Sequence, residues 1–256
     1  MNYRLGKNHP VVDPKTMRFG VYLTPALPAP PSSINYGAKV STWPMYDNDK
    51  YGDCTCAAAG HLIQNWTANA GNEMTPPDSA VLSFYEHFVG NPPPPDEGCD
   101  MLSVLKYWRK TGLGKHKVTA FASIQLKNHT QAMNAIYLLG GIYIGVALPD
   151  SVVPQGGNYL EIPWVVPPGG PVGDAAPNQN NGHCIPAVGY DATNLYVITW
   201  GAVKSMSWQF YDAYADESFA IVSQDFVDVT GKDPAGFSLS EMLIDLKALT
   251  AKAVPA

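Results

Sequence analysis

The sequence predicts an α+β fold, in which helices come first along the chain and antiparallel strands second. Helical patterns dominate residues 47–115, and strand-like segments dominate residues 116–230. Separate runs of helices and strands are typical of α+β proteins, whereas regular alternation would indicate a parallel sheet. We therefore divide the chain into an extended N-terminal arm (1–46), a helical lobe (47–115), a β lobe (116–230) and a C-terminal helix packed on the body (231–256).

Composition excludes several classes of partner. The 256 residues carry a net charge of −6, and the 16 lysines and arginines are scattered, so the basic patch of a nucleic-acid-binding protein is missing. No apolar run approaches the roughly 20 residues that span a bilayer, and the N-terminus lacks the apolar stretch of a secretory signal. We expect a cytoplasmic protein that binds neither nucleic acid nor membrane; the sequence predicts no oligomeric state.

Cysteine and histidine spacing gives no sign of a metal. The four cysteines are expected to be reduced thiols, and the six histidines are dispersed. The glycines at 169–173 lack the Lys-Ser/Thr pair of a phosphate-binding loop. No cofactor and no metal are therefore predicted.

The arm and the first helix differ sharply in pattern. Residues 1–46 are proline-rich with little periodicity, so they are expected to lie extended over the surface. After a polar loop, Ala58, Leu62 and Trp66 have the four-residue spacing of a helix face, which predicts a helix that begins at Cys54 with Asp53 as its N-cap.

The position of Cys54 makes it a candidate nucleophile. The free N–H groups and the positive dipole end of a first helical turn favour a thiolate over a thiol. The carboxylate of Asp53 opposes this effect by repulsion, so a positive partner is needed to settle the matter. The alternative is an ordinary buried cysteine in an alanine-rich helix.

The remaining elements follow from periodicity and turn residues. Further helices are predicted at 79–89, 100–111, 131–139 and 238–250. Strands are predicted at 118–124, 142–148, 183–190, 195–200, 206–211 and 219–224, with a long Gly/Pro/Asn-rich loop at about 150–182. The adjacent acids Asp216 and Glu217 are interpreted as solvated loop residues, and His61 as a helix-surface or packing histidine.

A second segment completes a recognisable pattern. His183 begins His-x-x-x-Ala-Val-Gly-Tyr, which leads through a predicted turn into a strand that ends at Trp200-Gly201. This resembles the histidine hairpin of papain-like cysteine peptidases, in which a cysteine at a helix start precedes a distant histidine. Gly98-Cys99-Asp100-Met101 and the run from Gly140 to Val146 resemble two further family segments. The resemblance covers roughly residues 40–225.

The resemblance implies a papain-like fold with a cleft between a helical and a β lobe. Cys54 would lie on one wall and His183 on the other. An imidazolium there would stabilise the thiolate and outweigh the charge of Asp53 if that acid points to solvent. Attack of the sulfur on the carbonyl carbon of a peptide or amide substrate, with His183 protonating the leaving group, is the chemistry that such a pair supports.

Two further family positions are altered. Asn48 stands where the family has the glutamine that donates to the oxyanion, and it could equally be a turn residue. Thr199 lies sixteen residues after His183, where the family has the asparagine that orients the imidazole, and it could equally be a strand former. Alignment on Trp200-Gly201 would place Ile198 there instead; hairpin register favours Thr199.

Three functions remain open on these residues. The first is hydrolysis of a peptide or amide bond. The second is amide formation, in which an amine captures the acyl-thioester on Cys54. The third is a binding or assembly protein that kept a papain-like fold with weakened chemistry, which the changes at Asn48 and Thr199 favour.

Overall fold

The computed structural model describes residues 3–23, 29–90, 96–153, 159–226 and 244. Within these ranges the chain forms five α-helices, namely α1 Cys54–Asn69, α2 Asp78–Val89, α3 Met101–Lys110, α4 His129–Leu139 and α5 Trp208–Tyr214. The strands are β1 Met17–Arg18, β2 Ile34–Asn35, β3 Val118–Ser123, β4 Ile142–Ala147, β5 Gly182–Tyr190, β6 Asn194–Thr199, β7 Ala202–Ser207 and β8 Ala215–Ser223. The predicted α+β class is confirmed.

Most predicted elements are present, and one is wrong. Residues 206–211 were expected to form a strand, but β7 ends at Ser207 and α5 begins at Trp208. The Oγ atom of Ser207 accepts a hydrogen bond from the backbone N–H of Phe210 at 3.1 Å, which caps the new helix. The side-chain cap therefore favours a helix from Trp208, although the apolar pattern of residues 206–211 predicts a strand. The predicted helix at 238–250 lies outside the described residues.

The sheet places the histidine hairpin beside the first helix. Its strand order is β1-β3-β8-β4-β5-β6-β7, and β2 pairs with β5 off this path. Neighbours are antiparallel except for β1 and β3 among the described strands. In the pairing of β4 with β5, Val146 lies opposite His183.

Helix α1 is a fixed wall for the site because it is buried along its whole length. All its residues are buried, and Trp66 stacks on Trp108 of α3 with 5.7 Å between ring centroids. The indole N–H of Trp66 also donates to the carbonyl of Leu139 at 2.8 Å. Each such large side chain contributes about 1.5–3 kcal/mol on burial, so the first turn of α1 is held rigidly. Among the described helices, none combines the length and the apolarity that crossing a bilayer would require.

Candidate active site

Cys54 is the first residue of α1, and its side chain is fully buried. Burial raises the pKa of its thiol to about 12, and interactions with the backbones of Cys184 and Gly6 act in the opposite direction. Because Cys184 follows His183 in β5, the sulfur lies against the strand that carries the histidine. The sulfur also lies against Gly6, which belongs to the N-terminal arm.

Asp53 occupies the predicted N-cap position, but the predicted capping by its carboxylate is wrong. Its side chain makes no cap hydrogen bond, and it points into the protein with no exposed surface. Burial raises the pKa of Asp53 well above its ordinary value, and the nearby amide of Asn48 opposes that rise. A raised pKa favours the neutral acid. The repulsion of a thiolate that the sequence predicts is therefore reduced by burial, and not by exposure to solvent.

His183 is the second residue of β5 and is almost fully buried. Its Nε2 atom lies 2.8 Å from the hydroxyl oxygen of Thr199 on β6. The indole of Trp200 stacks on the imidazole with 4.2 Å between ring centroids and an interplanar angle of 12°. Burial lowers the pKa of His183 to about 3, so the imidazole is neutral in this form. The structure thus places Thr199 at the imidazole, while its role as an orienting residue stays a prediction.

Replacing Thr199 tests that role. We expect Thr199→Val, which keeps the shape and removes the hydroxyl, to lower kcat of the proposed hydrolysis by about tenfold, because the loss of one hydrogen bond costs about 1–2 kcal/mol. Thr199→Asn should retain or raise kcat, because an amide oxygen accepts the ring N–H more strongly. The kcat and KM values of each protein are compared. A larger loss with asparagine than with valine would contradict the assignment.

Asn48 holds the loop before α1. Its side chain is buried, and its Nδ2 atom donates to the carbonyl of Tyr51 at 3.0 Å. This geometry matches the turn role that the sequence left open. Donation from Asn48 to an oxyanion at Cys54 stays a prediction, and the second N–H of the amide would have to supply it.

The beginning of the arm lies in the site, which the sequence did not predict. Residues 3–8, here called the cleft segment, were expected to lie over the surface. Instead Gly6 and Lys7 donate their backbone N–H groups to the carbonyl of Gly182 at 3.3 and 3.1 Å. The backbone N–H of Cys99 donates to the carbonyl of Gly6 at 3.0 Å, and the carbonyl of Cys99 accepts from the backbone N–H of Asn8 at 3.1 Å. The cleft segment therefore bridges the start of β5 and the loop before α3.

The same segment covers the histidine from its other side. The backbone N–H of Arg4 donates to the carbonyl of Asn48 at 2.9 Å, and the indole N–H of Trp200 donates to the carbonyl of Arg4 at 3.1 Å. The rings of Tyr3 and Trp200 lie 5.1 Å apart. Because Trp200 stacks on His183, the cleft segment contacts the indole that covers the imidazole.

Glycines allow this close passage. A Cβ atom at Gly6 would lie 1.8 Å from the carbonyl oxygen of Gly52. A Cβ atom at Gly98 would lie 2.0 Å from the carbonyl oxygen of Gly6. The N–H of Gly52 donates to Asp96 at 2.7 Å, and Asp96 also accepts from the hydroxyl of Tyr85. The backbone that faces Gly6 is therefore anchored and cannot easily yield to a side chain.

Asp216 and Glu217 were expected to be solvated loop residues, and that interpretation is wrong. Both belong to β8, and the ammonium of Lys7 lies 2.9 Å from Asp216 Oδ2 and 3.4 Å from Glu217 Oε1. The side chain of Lys7 has no exposed surface. A lysine 209 residues away in sequence supplies the countercharge, so no local pattern could have revealed this pair.

The other cysteines and His61 are packing residues. Cys56 and Cys184 are buried, and all four cysteines are free thiols, as the sequence predicts. His61 is buried and its Nε2 atom lies 2.8 Å from the carbonyl oxygen of Pro44. No cluster of three or more potential metal ligands occurs in the part of the chain that the structure describes.

Comparisons with known proteins identify the fold. No family profile matches the sequence, and no curated protein matches it. Solved structures do match. Xylellain, a cysteine protease from Xylella fastidiosa, is 14% identical with a TM-score of 0.64 over 87% of this chain and 97% of its own. A cysteine protease of Carica candamarcensis is 14% identical with a TM-score of 0.53, and the match covers 75% of this chain and 98% of that protease. Procathepsin L 3 of Tenebrio molitor is 10% identical with a TM-score of 0.54, and the match covers 86% of this chain and 75% of the procathepsin. The chain therefore has a papain-like fold, as the sequence predicts.

Proposed function

We propose that this papain-fold protein is a cysteine-dependent hydrolase that cleaves a peptide or other amide bond through Cys54 and His183. One observation carries the proposal: Cys54 at the start of α1 interacts with the backbone of Cys184, the residue after His183, and the Nδ1 atom of that buried imidazole has no hydrogen-bond partner among the described residues, while its Nε2 atom meets Thr199. The papain-like fold supports it.

In the proposed reaction, the thiolate of Cys54 attacks the carbonyl carbon of the substrate. A carbon–sulfur bond forms, the carbon–nitrogen bond breaks, and the imidazolium of His183 gives its proton to the departing amine. Water then attacks the thioester, its proton passes to His183, and the carboxylic acid leaves with the thiolate restored. Backbone N–H groups at the start of α1 would stabilise the oxyanion of each tetrahedral intermediate.

The described conformation corresponds to a resting form of this enzyme. With a thiol pKa of about 12 and an imidazole pKa of about 3, both groups are neutral at pH 7. Burial causes both shifts, and the cleft segment provides part of that burial. We infer that this segment must leave the cleft before the ion pair forms and a substrate enters. Full-length Gly6→Val, in which the new side chain would collide with Gly52, serves below as the arm-displaced protein.

Acidification should open the cleft, since a hydrated imidazole binds a proton more readily than a buried one. The pKa of His183 is about 3 in the seated form, in which the cleft segment lies in the cleft, and about 6.5 once the imidazole is hydrated. Protonation of His183 therefore favours the open form by up to tenfold for each pH unit below about 6.5. Glu217 does not counteract this effect, because Lys7 lowers the pKa of Glu217, and departure of Lys7 removes the interaction that keeps this carboxylate charged.

We therefore expect the protein to open progressively below about pH 6.5, and His183→Gln, whose side chain does not titrate, to lose that pH dependence. The measurement is the rate at which dithiodipyridine modifies Cys54, divided by the rate for Gly6→Val at the same pH, which cancels the titration of the thiol itself. The same onset in the parent and in His183→Gln would contradict the role of His183.

A second candidate is the binding or assembly protein. The complete burial of Cys54 and His183 favours it, because a scaffold needs no access to either group. In that case the displaced protein would show a thiol of ordinary reactivity and no hydrolysis.

Hydrolysis by the arm-displaced protein tests the proposal. Gly6→Val is incubated with a mixed library of fluorescent peptides, with and without prior iodoacetamide, and Gly6→Val/Cys54→Ala serves as the inactive control. We expect cleavage only by the unmodified cysteine protein. Addition of an amine acceptor distinguishes hydrolysis from amide formation by the mass of the product. Alkylation of Cys54 by iodoacetamide shows that the cleft is open. If the unmodified protein then cleaves no peptide, the hydrolase is rejected and the scaffold is favoured.

A further inference from the structure

We propose that the pocket which holds the side chain of Lys7 is the specificity pocket of this active site, and that it selects peptides with a lysine or arginine beside the scissile bond. This inference rests on the proposed function and names its substrate class.

The cleft segment occupies its groove in the manner of a bound peptide. Its backbone forms a parallel bridge in which Lys7 pairs with Cys99, with hydrogen bonds on both sides of the pair. Gly182 supplies a further carbonyl acceptor on the opposite wall, next to His183. Gly6, the neighbour of Lys7, passes against Gly52, two residues before Cys54, and donates its N–H to the carbonyl of Gly182, the residue before His183. Any extended peptide that reaches the sulfur must therefore take the place of this backbone. Its side chain opposite Cys99 then meets the pocket that Lys7 fills.

The pocket is built for a long cationic side chain. Lys7 Nζ lies 2.9 Å from Asp216 Oδ2, 3.4 Å from Glu217 Oε1 and 3.1 Å from the carbonyl oxygen of Asn8. Gly145 forms part of the wall, where a Cβ atom would lie 2.2 Å from Lys7 Cε and 2.8 Å from Asp216 Oδ1. Glycine at this position is therefore what leaves room for the aliphatic stem.

Charge decides which ligand can replace Lys7. The side chains of Asp216 and Glu217 are only 11% and 8% exposed, so a neutral ligand would leave two acids buried without a cation. Removing one partner of a buried ion pair leaves the other charge uncompensated and strongly destabilises the site, whereas a second cation restores the pair. The burial that raises the pKa of Glu217 to about 7 is opposed by Lys7, which agrees with an attraction that any bound cation would supply. A lysine or arginine peptide should thus bind at least tenfold more tightly than a neutral one.

The experiment scans each position of a fluorogenic peptide with lysine, arginine, norleucine and glutamate on the full-length Gly6→Val protein. We expect one position at which lysine or arginine raises kcat/KM at least tenfold over norleucine. Asp216→Asn/Glu217→Gln in the same background should abolish that preference. The control pair Asp212→Asn/Glu86→Gln, on α5 and α2, should retain it. Cleavage with no basic preference, or a preference that survives loss of Asp216 and Glu217, overturns the inference and leaves the proposed function standing.

A binding measurement separates failure of the pocket from failure of the chemistry. Fluorescence anisotropy of the arm peptide Met1–Val12 is measured on Gly6→Val/Cys54→Ala, with lysine or norleucine at peptide position 7. At least tenfold tighter binding of the lysine peptide, even if no peptide is ever cleaved, supports basic-peptide recognition and rejects only the hydrolase. Equal binding, or no binding of either peptide by a protein with an unchanged thermal transition, overturns the inference.

Discussion

Replacing Gly6 by valine is expected to raise the rate of alkylation of Cys54 by iodoacetamide at pH 7 by about 100-fold or more. A Cβ atom at position 6 would lie 1.8 Å from a backbone oxygen of Gly52 and 2.4 Å from its Cα atom. Overpacking against mobile side chains costs about 1–3 kcal/mol, and here the obstacle is backbone that Asp96 anchors. About 2.7 kcal/mol against the seated form corresponds to a 100-fold change in the open population. Alkylation is followed by intact mass and by mapping of the modified cysteine.

Gly20→Val is the matched control for this substitution. A Cβ atom at Gly20 would meet only the side chain of Gln131, whose Nε2 atom lies at 2.5 Å and can move aside. Its alkylation rate should stay within about twofold of the parent, and both variants should keep a cooperative thermal transition. If Gly6→Val is alkylated no faster than Gly20→Val, the cleft segment does not control access to Cys54. If Gly6→Val exposes all four cysteines to alkylation together, the fold as a whole has opened.

Local patterns predicted the parts of the site that lie within one element or one hairpin. The start of α1 follows from the four-residue spacing after Cys54, and α1 begins there. The contact between His183 and Thr199 follows from hairpin register, since β5 and β6 are antiparallel neighbours joined by a short turn. In both cases the information is contained in a few consecutive residues.

Tertiary burial decided what the sequence could not. Asp53 at a helix start normally caps it, but here the carboxyl is enclosed and its pKa rises instead. Asp216 and Glu217 are consecutive in the sequence, between Ala215 and Ser218, and only the fold brings Lys7 to them. The cleft segment has no periodicity at all; its position depends on Gly6, Gly52 and Gly98 having no side chains where backbones cross. Signals of this kind exist only once distant segments are in contact.

The seated segment also explains how a reactive pair could be stored without reacting. An ion pair needs water or a partner network to offset desolvation, and the described site offers neither to Cys54 or His183, which are 0% and 1% exposed. Burial therefore keeps both groups neutral; under the proposed function they react only once the cleft opens. Under this view, mutations of the dyad have no measurable effect in the seated form and a large one in the displaced form.

In the arm-displaced protein, Cys54→Ala and His183→Gln are each expected to lower kcat/KM for peptide hydrolysis by about 10³-fold or more. Cys54 is the first residue of α1 and supplies the nucleophile of the proposed reaction, and His183 carries the proton in both of its steps. General acid–base catalysis contributes about 10²–10⁴-fold, and loss of a nucleophile costs at least as much. The double variant should be no slower than the slower single variant, because each residue is useless without the other.

Cys56→Ala in the same background provides the control for this cycle. Cys56 is a buried thiol on the same helix turn, so its loss reports the cost of a small cavity without touching the proposed chemistry. It should change kcat/KM by less than about tenfold while the thermal transition falls slightly. Losses at Cys54 and His183 that multiply in the double variant would mean that the two residues act independently. Losses no larger than that of Cys56→Ala would mean that neither reacts with substrate, and only the papain-like scaffold would remain.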